Sequence, residues 1–312
     1  MAVNDFAQNQ QFSQLDFIAY QGKKKRSVLV DVPDLQNAPL VETHAHLDML
    51  ENPSLALARA AQVGITHIVT LANLSRSEQT FEMIDVWQEG AQNILDEAGS
   101  SAVLPHTVIA AGVHPHDAQH YTSQIESRLV KLAHADKIAA IGEAGLDYYY
   151  DHSPREVQRA VFIRNLELAH DLDLPVIIHL RDAHDDGLRI IEQTGIPDAG
   201  AILHCYNRGL ETAQPFLDLG AVLGFGGPIT FNSAKDLKAA AATVPANSFV
   251  LETDCPFMAP TPFRGQKCEP AHTLWVAAEL AALRAQTLPD LANQTSQLAA
   301  ELFGLKLPQI RD

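Results

Sequence analysis

Two histidines two residues apart, His44-Ala45-His46, close the first short apolar run of a 312-residue chain. A strand has a side-chain period of two, so both imidazoles point the same way and make a natural chelate. Four more metal-ligating side chains end other apolar runs: Glu143 after Gly142, His179 after Ile178, His204 after Leu203, and Asp254 in Glu252-Thr253-Asp254. Core packing explains such repeated placing poorly, because buried charges and unpaired polar groups are costly. Four imidazoles and two carboxylates suit Zn, Mn, Co or Fe; Mg stays open although it prefers more oxygen. Six ligands exceed one tetrahedral site with an open position. Two divalent metal ions sharing a carboxylate fit better, and Glu143, near the middle of the set, is the natural bridge. A metal pair ~3.5–4 Å apart can hold the attacking and the leaving oxygen of a displacement.

Other polar residues stand near these ends. His114 and His116, in Gly112-Val113-His114-Pro115-His116, could bind phosphate or protonate a leaving oxygen; the plain alternative is a hydrogen-bonded loop histidine. Arg264 follows the last apolar run and could grip a phosphate with its planar fork, or pair with Glu269 or a loop carbonyl. Asp147 and Arg181 lie just past proposed ligands, where metal-bound histidines need an oriented partner. Tyr148, Tyr149 and Tyr150 read as packing over a rim, with base stacking as the alternative. There is no Gly-x-Ser-x-Gly elbow and no sign of a Ser or Cys nucleophile.

The elements that must position these residues repeat one pattern from residue 39 onward. Short runs rich in Val, Ile and Leu are Leu40–His46, Thr66–Ala72, Val108–Val113, Ile138–Glu143, Pro175–Leu180, Ala201–Tyr206, Ala221–Phe225 and Phe249–Thr253. Runs of this kind are strands buried on both faces. Helix-like stretches alternate with them: Ser54–Val63, a helix opening at Ser153-Pro154 with Glu156 completing a capping box, Ala271–Arg284 and Gln294–Phe303. Eight such units predict parallel βαβ connectivity. An open nucleotide-binding sheet would carry a Gly-rich turn after an early strand; none follows the first run. The chain therefore reads as an α/β protein, a (β/α)8 TIM barrel of one domain over residues 38–312, whose site lies at the carboxyl ends of the strands. Residues 1–37, with the basic run Lys23-Lys24-Lys25-Arg26, read as a loosely ordered N-terminal extension.

Composition narrows the class. The formal net charge is −16, which argues against tight, wrapping nucleic-acid binding. Two divalent ions would nevertheless bring about +4 against two carboxylates, enough to hold a phosphate inside an acidic shell. Three cysteines, Cys205, Cys255 and Cys268, make no disulfide framework and suit a reducing, cytoplasmic location. No apolar run of ~18 residues predicts a membrane span, and the N-terminus has no secretory pattern. Nothing points to a stable protein partner.

In these residues the chain resembles the TatD family of metal-dependent hydrolases and deoxyribonucleases, one of the amidohydrolase-like barrels. The resemblance runs from about residue 40 to 305, through ETHAHLD (42–48), GVHPH (112–116), IGEAGLDYYYD (141–151), PVIIHLRDA (175–183), GFGGPITFNSAK (224–235) and ETDCPFMAPTPFRGQKCEP (252–270). It implies one metal site at His44, His46, Glu143 and Asp254, and a second at Glu143, His179 and His204. It also implies that Asp254 positions or deprotonates the attacking water. Related two-metal barrels bridge with a carboxylated lysine; here Glu143 ends the fourth run, which favours a glutamate bridge. Departures are Glu42 where the family has Asp, His204-Cys205-Tyr206-Asn207-Arg208-Gly209 where it has His-Cys-Phe-Ser-Gly, and Cys268 where it has Asn. The expected activity is exonuclease-type phosphodiester hydrolysis, with DNA or a short oligonucleotide as transient substrate. The alternatives are a small-molecule hydrolase acting on a lactone, amide or phosphoester, and a scaffold with a structural metal.

Overall fold

The computed structural model describes residues 13–21 and 25–308. An antiparallel hairpin, β1 (Ile18–Gln21) and β2 (Arg26–Leu29), precedes eight barrel strands. These are β3 (Leu40–Ala45), β4 (Ile65–Asn73), β5 (His106–Gly112), β6 (Ala140–Asp147), β7 (Val176–Arg181), β8 (Ala201–Leu203), β9 (Val222–Phe225) and β10 (Phe249–Leu251). They form one eight-stranded sheet in sequential order, all paired in parallel. The helices are α1 (Pro53–Gln62), α2 (Gln79–Glu97), α3 (Ser123–His134), α4 (Arg155–Leu172), α5 (His184–Thr194), α6 (Leu210–Asp218), α7 (Lys235–Thr243), α8 (Thr273–Leu283) and α9 (Leu288–Phe303). The TIM-barrel expectation holds. No helix among the described residues is long and apolar enough to cross a membrane.

Every barrel strand contributes to an inner apolar layer: Val41, Val69, Ala110, Ala140, Ile177, Ile202, Val222 and Val250 pack together above Phe303 of α9. The larger core lies between strands and helices. Alternation then carries the residue two places past Ile177, His179, and the one two places past Ile202, His204, to the same inner face. Three candidates, His44, His46 and Glu143, break that parity. The β3/β4 register shifts between Glu42 and Ala45, and the β6/β7 register shifts between Ile141 and Ala144. Such irregularities re-aim side chains, and here they turn His44 and Glu143 toward the mouth. Gly142 beside Glu143 adopts φ +153, and a Cβ there would lie 2.8 Å from Ile177 Cβ; only glycine fits this bend.

The barrel seam between β3 and β10 is closed without a regular ladder. Thr43 Oγ1 donates to Leu251 O (2.9 Å), His46 N to Cys255 O (3.0 Å) and Asp254 N to His44 O (3.0 Å). The Glu42 carboxylate completes the join, with Oε1 accepting from His44 N (2.8 Å) and Thr253 N (3.0 Å).

Several local expectations change. β6 runs past Glu143 to Asp147, because Leu146 and Asp147 still pair with Leu180 and Arg181 of β7. α4 has no capping box: Ser153 Oγ instead donates to His116 O (2.8 Å) and accepts from Gln119 N (3.1 Å). α9 starts earlier than the spacing suggests, capped by Thr287 with Pro289 in its first turn, and ends at Gly304. Within the extension, residues 13–21 and 25–37 include the β1–β2 hairpin and a packed aromatic ring. Phe17 is 3% exposed. Its ring lies 5.0 Å from Trp275 and 6.3 Å from Phe263, under the Arg59 guanidinium at 4.5 Å. Arg59 also donates to Asp16 O (3.0 Å). A buried aromatic anchor offsets the entropy of ordering this segment, which composition alone does not reveal. Lys23 and Lys24 of the basic run lie outside the described residues.

Candidate metal centre

The strand ends bring His44, His46, Glu143, His179, His204 and Asp254 together. Glu143 is the hub. Its Oε2 lies 3.5 Å from both His44 Nε2 and His46 Nε2. Its Oε1 lies 3.0 Å from His179 Nδ1 and 2.9 Å from His204 Nε2. Asp254 joins the first half, with Oδ1 3.4 Å from His46 Nε2 and 3.8 Å from His44 Nε2.

The donor set fits a cation. His44 Nε2 and His46 Nε2 face each other at 3.3 Å, and His179 Nδ1 and His204 Nε2 at 3.0 Å. Ring nitrogens converging in two pairs beside one carboxylate leave little else to balance them than shared protons or positive ions. Nitrogen and oxygen donors in these proportions suit borderline divalent metals. Clusters His44–His46–Glu143 and His114–Glu143–His179 each place three ligand atoms within 4.8 Å of one another.

The side chains of the site form a network of opposed charges. Burial pushes His44 down to about 4, with His204 nearby adding to the effect. Burial also opposes charge on His179, yet the carboxylates of Asp147 and Glu143 lift it to about 9. Glu143 is held well below the carboxylate range: burial works the other way, but His204, His114 and His179 outweigh it. Asp254 follows the same pattern, lowered by His46, His44 and His204 against the penalty of burial.

His114 and His116 part company. His114 lies inside the cluster, its Nε2 3.5 Å from Glu143 Oε1. Its Nδ1 accepts from His116 N (3.1 Å). His116 turns away, with Nε2 2.8 Å from Asp147 Oδ2. Asp147 meets its expected orienting place: Oδ2 also reaches His179 Nε2 (3.2 Å), and Oδ1 accepts from Tyr149 N and Tyr150 N. Arg181 does not orient a histidine; its guanidinium lies 4.1 Å over Tyr149 and 4.7 Å over Tyr150. Those two rings are exposed at the rim, whereas Tyr148 bonds Asp186. Arg264 is exposed with its guanidinium 4.2 Å above Phe231, and no hydrogen bond or ion pair among the described residues joins it to the histidine cluster. Glu269 is engaged by Arg59 at 3.0 Å instead.

Two buried carboxylates were not singled out from the sequence as site residues. Glu42 spans the seam, and its Oε2 also meets Thr273 Oγ1; burial lifts it to about 8 against the hydrogen bonds around it. Glu252 accepts from Cys205 N and is pushed well above its usual range, first by burial and then by Asp254. The twin triplets Glu42-Thr43-His44 and Glu252-Thr253-Asp254, at the two strands that meet, were the available signal.

A cavity of ≈ 800 Å³ lies at the opposite end of the barrel, lined by His67, His106, Phe303 and Lys306 among others, with no carboxylate. It is not the centre of the chemistry.

A closed parallel barrel with imidazoles and carboxylates converging at the carboxyl ends of its strands defines a metal-dependent hydrolase. Residues 41–304 match the family of TatD related DNase proteins, and the chain belongs to it. It is 34% identical over 278 residues to the uncharacterized metal-dependent hydrolase YcfH of Escherichia coli (strain K12), covering 87% of this chain and 98% of the relative. It is 33% identical over 200 residues to the 3′-5′ ssDNA/RNA exonuclease TatD of Klebsiella pneumoniae (strain 342), covering 62% of this chain and 76% of that one. The crystal structure of YJJV, a TatD homolog from Escherichia coli K12, superposes with a TM-score of 0.74 at 27% identity, covering 88% of this chain and 100% of that one.

Proposed function

We propose that this protein is a deoxyribonuclease of exonuclease type that hydrolyses phosphodiester bonds with two divalent metal ions. The observation that carries the reading is the split carboxylate of Glu143, one oxygen toward His44 and His46 and the other toward His179 and His204. In this reading His44, His46, Glu143 and Asp254 hold one ion, and Glu143, His179 and His204 the other. Bound ions of this kind lower the pKa of water and neutralise charge on phosphoryl oxygens. Asp254, with its side chain 17% exposed, accepts the proton of the attacking water.

His114 is suited to the leaving group. Its Nδ1 accepts a backbone N–H, so the neutral ring carries its proton on Nε2, the atom that faces Glu143. Burial keeps the ring neutral by lowering it to about 4. That N–H can donate a hydrogen bond to a phosphoryl or leaving oxygen. His116 acts one step back, through Asp147. The relative named as a 3′-5′ ssDNA/RNA exonuclease supports a single strand as substrate. A small phosphoester is the second reading, favoured by the net charge of −16.

The test is release of nucleotides from 5′- and 3′-labelled single-stranded DNA by protein reconstituted with Mg, Mn, Co or Zn. Asp254→Ala is expected to lose about 100- to 10,000-fold in rate. Failure of the wild type with every metal refutes the nuclease reading, and turnover of a small phosphoester alone establishes the second.

A further inference from the structure

His44 and His204 turn their Nε2 atoms to Glu143, at 3.5 and 2.9 Å. The two rings stack face to face, with centroids 4.0 Å apart and planes 8° from parallel. Their Nδ1 atoms therefore lie on the side of each ring away from Glu143. Both are buried without a hydrogen-bond partner among the described residues, and so is Glu252 Oε2. One nitrogen of each ring and one Glu252 oxygen lie within 4.8 Å of one another; His204 Nδ1 is 3.9 Å from Glu252 Oε1. Buried polar atoms are rarely left unpaired, and three in one cluster of side chains share one explanation.

We infer that Glu252 is a positioning residue that accepts from Nδ1–H of both His44 and His204, so that one carboxylate orients one imidazole in each half of the centre. The inference rests on the metal reading above. A ring that binds a metal through Nε2 carries its proton on Nδ1 and needs an acceptor there, which sets its tautomer and angle. His179 shows the same logic from the other side: its Nδ1 faces the centre and its Nε2 meets Asp147 at 3.2 Å.

The fold makes room for this carboxylate. Glu252 lies two residues past the inward Val250, next to Gly224 of β9. A Cβ on Gly224 would stand 2.7 Å from Glu252 Cδ, so a larger residue would evict the group. Glu252 Oε1 is anchored by Cys205 N and is also the oxygen nearest His204 Nδ1, at 3.9 Å.

Glu252→Gln separates orientation from packing. The amide keeps one oxygen for Cys205 N but loses the second acceptor oxygen that two N–H groups need, and its NH2 sets donor against donor. Zinc affinity, measured on the full chain by competition with a chromogenic chelator, is expected to fall about 10- to 100-fold. In the zinc-loaded wild type, two exchange-protected downfield imidazole Nδ1–H resonances are expected from His44 and His204, and Glu252→Gln loses them. Cooperative melting of the metal-free variant controls for folding, and Gly224→Ala is expected to reproduce both losses. Zinc binding by the wild type with unchanged affinity and unchanged resonances in Glu252→Gln overturns the inference alone. No zinc binding by the wild type overturns the metal reading and this inference with it.

Discussion

Glu42 closes the barrel seam, and replacing it separates the need for a hydrogen-bond acceptor from the need for a charge. Oε1 accepts from His44 N and Thr253 N, and Oε2 meets Thr273 Oγ1, which itself donates to Pro270 O (2.8 Å). Thr273 has one hydroxyl proton, and Pro270 uses it. A protonated Glu42 therefore satisfies every group: it donates to Thr273 Oγ1 and keeps Oε1 for both amides. Glu42→Gln reproduces that arrangement, with NH2 donating to Thr273, and is expected to cost under about 1 kcal/mol. Glu42→Ala strands two buried N–H groups at about 1–3 kcal/mol each and removes one buried methylene at about 0.8 kcal/mol. With some relief from entering water, about 4 kcal/mol is expected. The assay is urea denaturation of chelator-treated protein. The sign with pH follows from burial, which raises Glu42 from 4.5 to about 8. Its stabilisation is complete below about 4.5 and is lost as pH rises through about 8, at no more than about 1.4 kcal/mol per pH unit. Glu42→Gln lacks that slope. A Gln variant as unstable as Ala at pH 6 would refute the neutral-acid argument, and an Ala variant within about 1 kcal/mol of wild type would refute the clasp.

Two further predictions concern the docked extension and its neighbour. Phe17→Ala removes a buried ring held by Trp275, Phe263 and Arg59 and is expected to cost about 3 kcal/mol; denaturation and faster proteolysis of the extension check it, and unchanged proteolysis would count against docking. His272, stacked on Phe263 at 4.1 Å, is lowered by burial, and by Arg59, from 6.5 to about 3. Its share of stability is present above about 6.5 and is lost as pH falls toward about 3, so metal-free His272→Gln should show a flatter acid limb than wild type in denaturation between pH 7 and 4.

The sequence by itself determined the barrel and the membership of the cluster. Eight apolar runs alternating with helical spacing admit few topologies, and a polar residue at the end of a doubly buried strand has little place other than the mouth. Parity alone carries His179 from Ile177 and His204 from Ile202. Only the tertiary structure decided the rest, because the deciding contacts are distant in sequence. Two register shifts, invisible to a period of two, turn His44 and Glu143 inward. Seam closure sets Glu42 against Thr253 and Thr273, more than 200 positions away. Docking of Phe17 on α8 orders a segment whose composition favours disorder. Packing sets the Arg264 guanidinium over Phe231. The periodic pattern of the chain specifies which face a side chain takes; what meets it there is settled by strands and helices that only folding brings together.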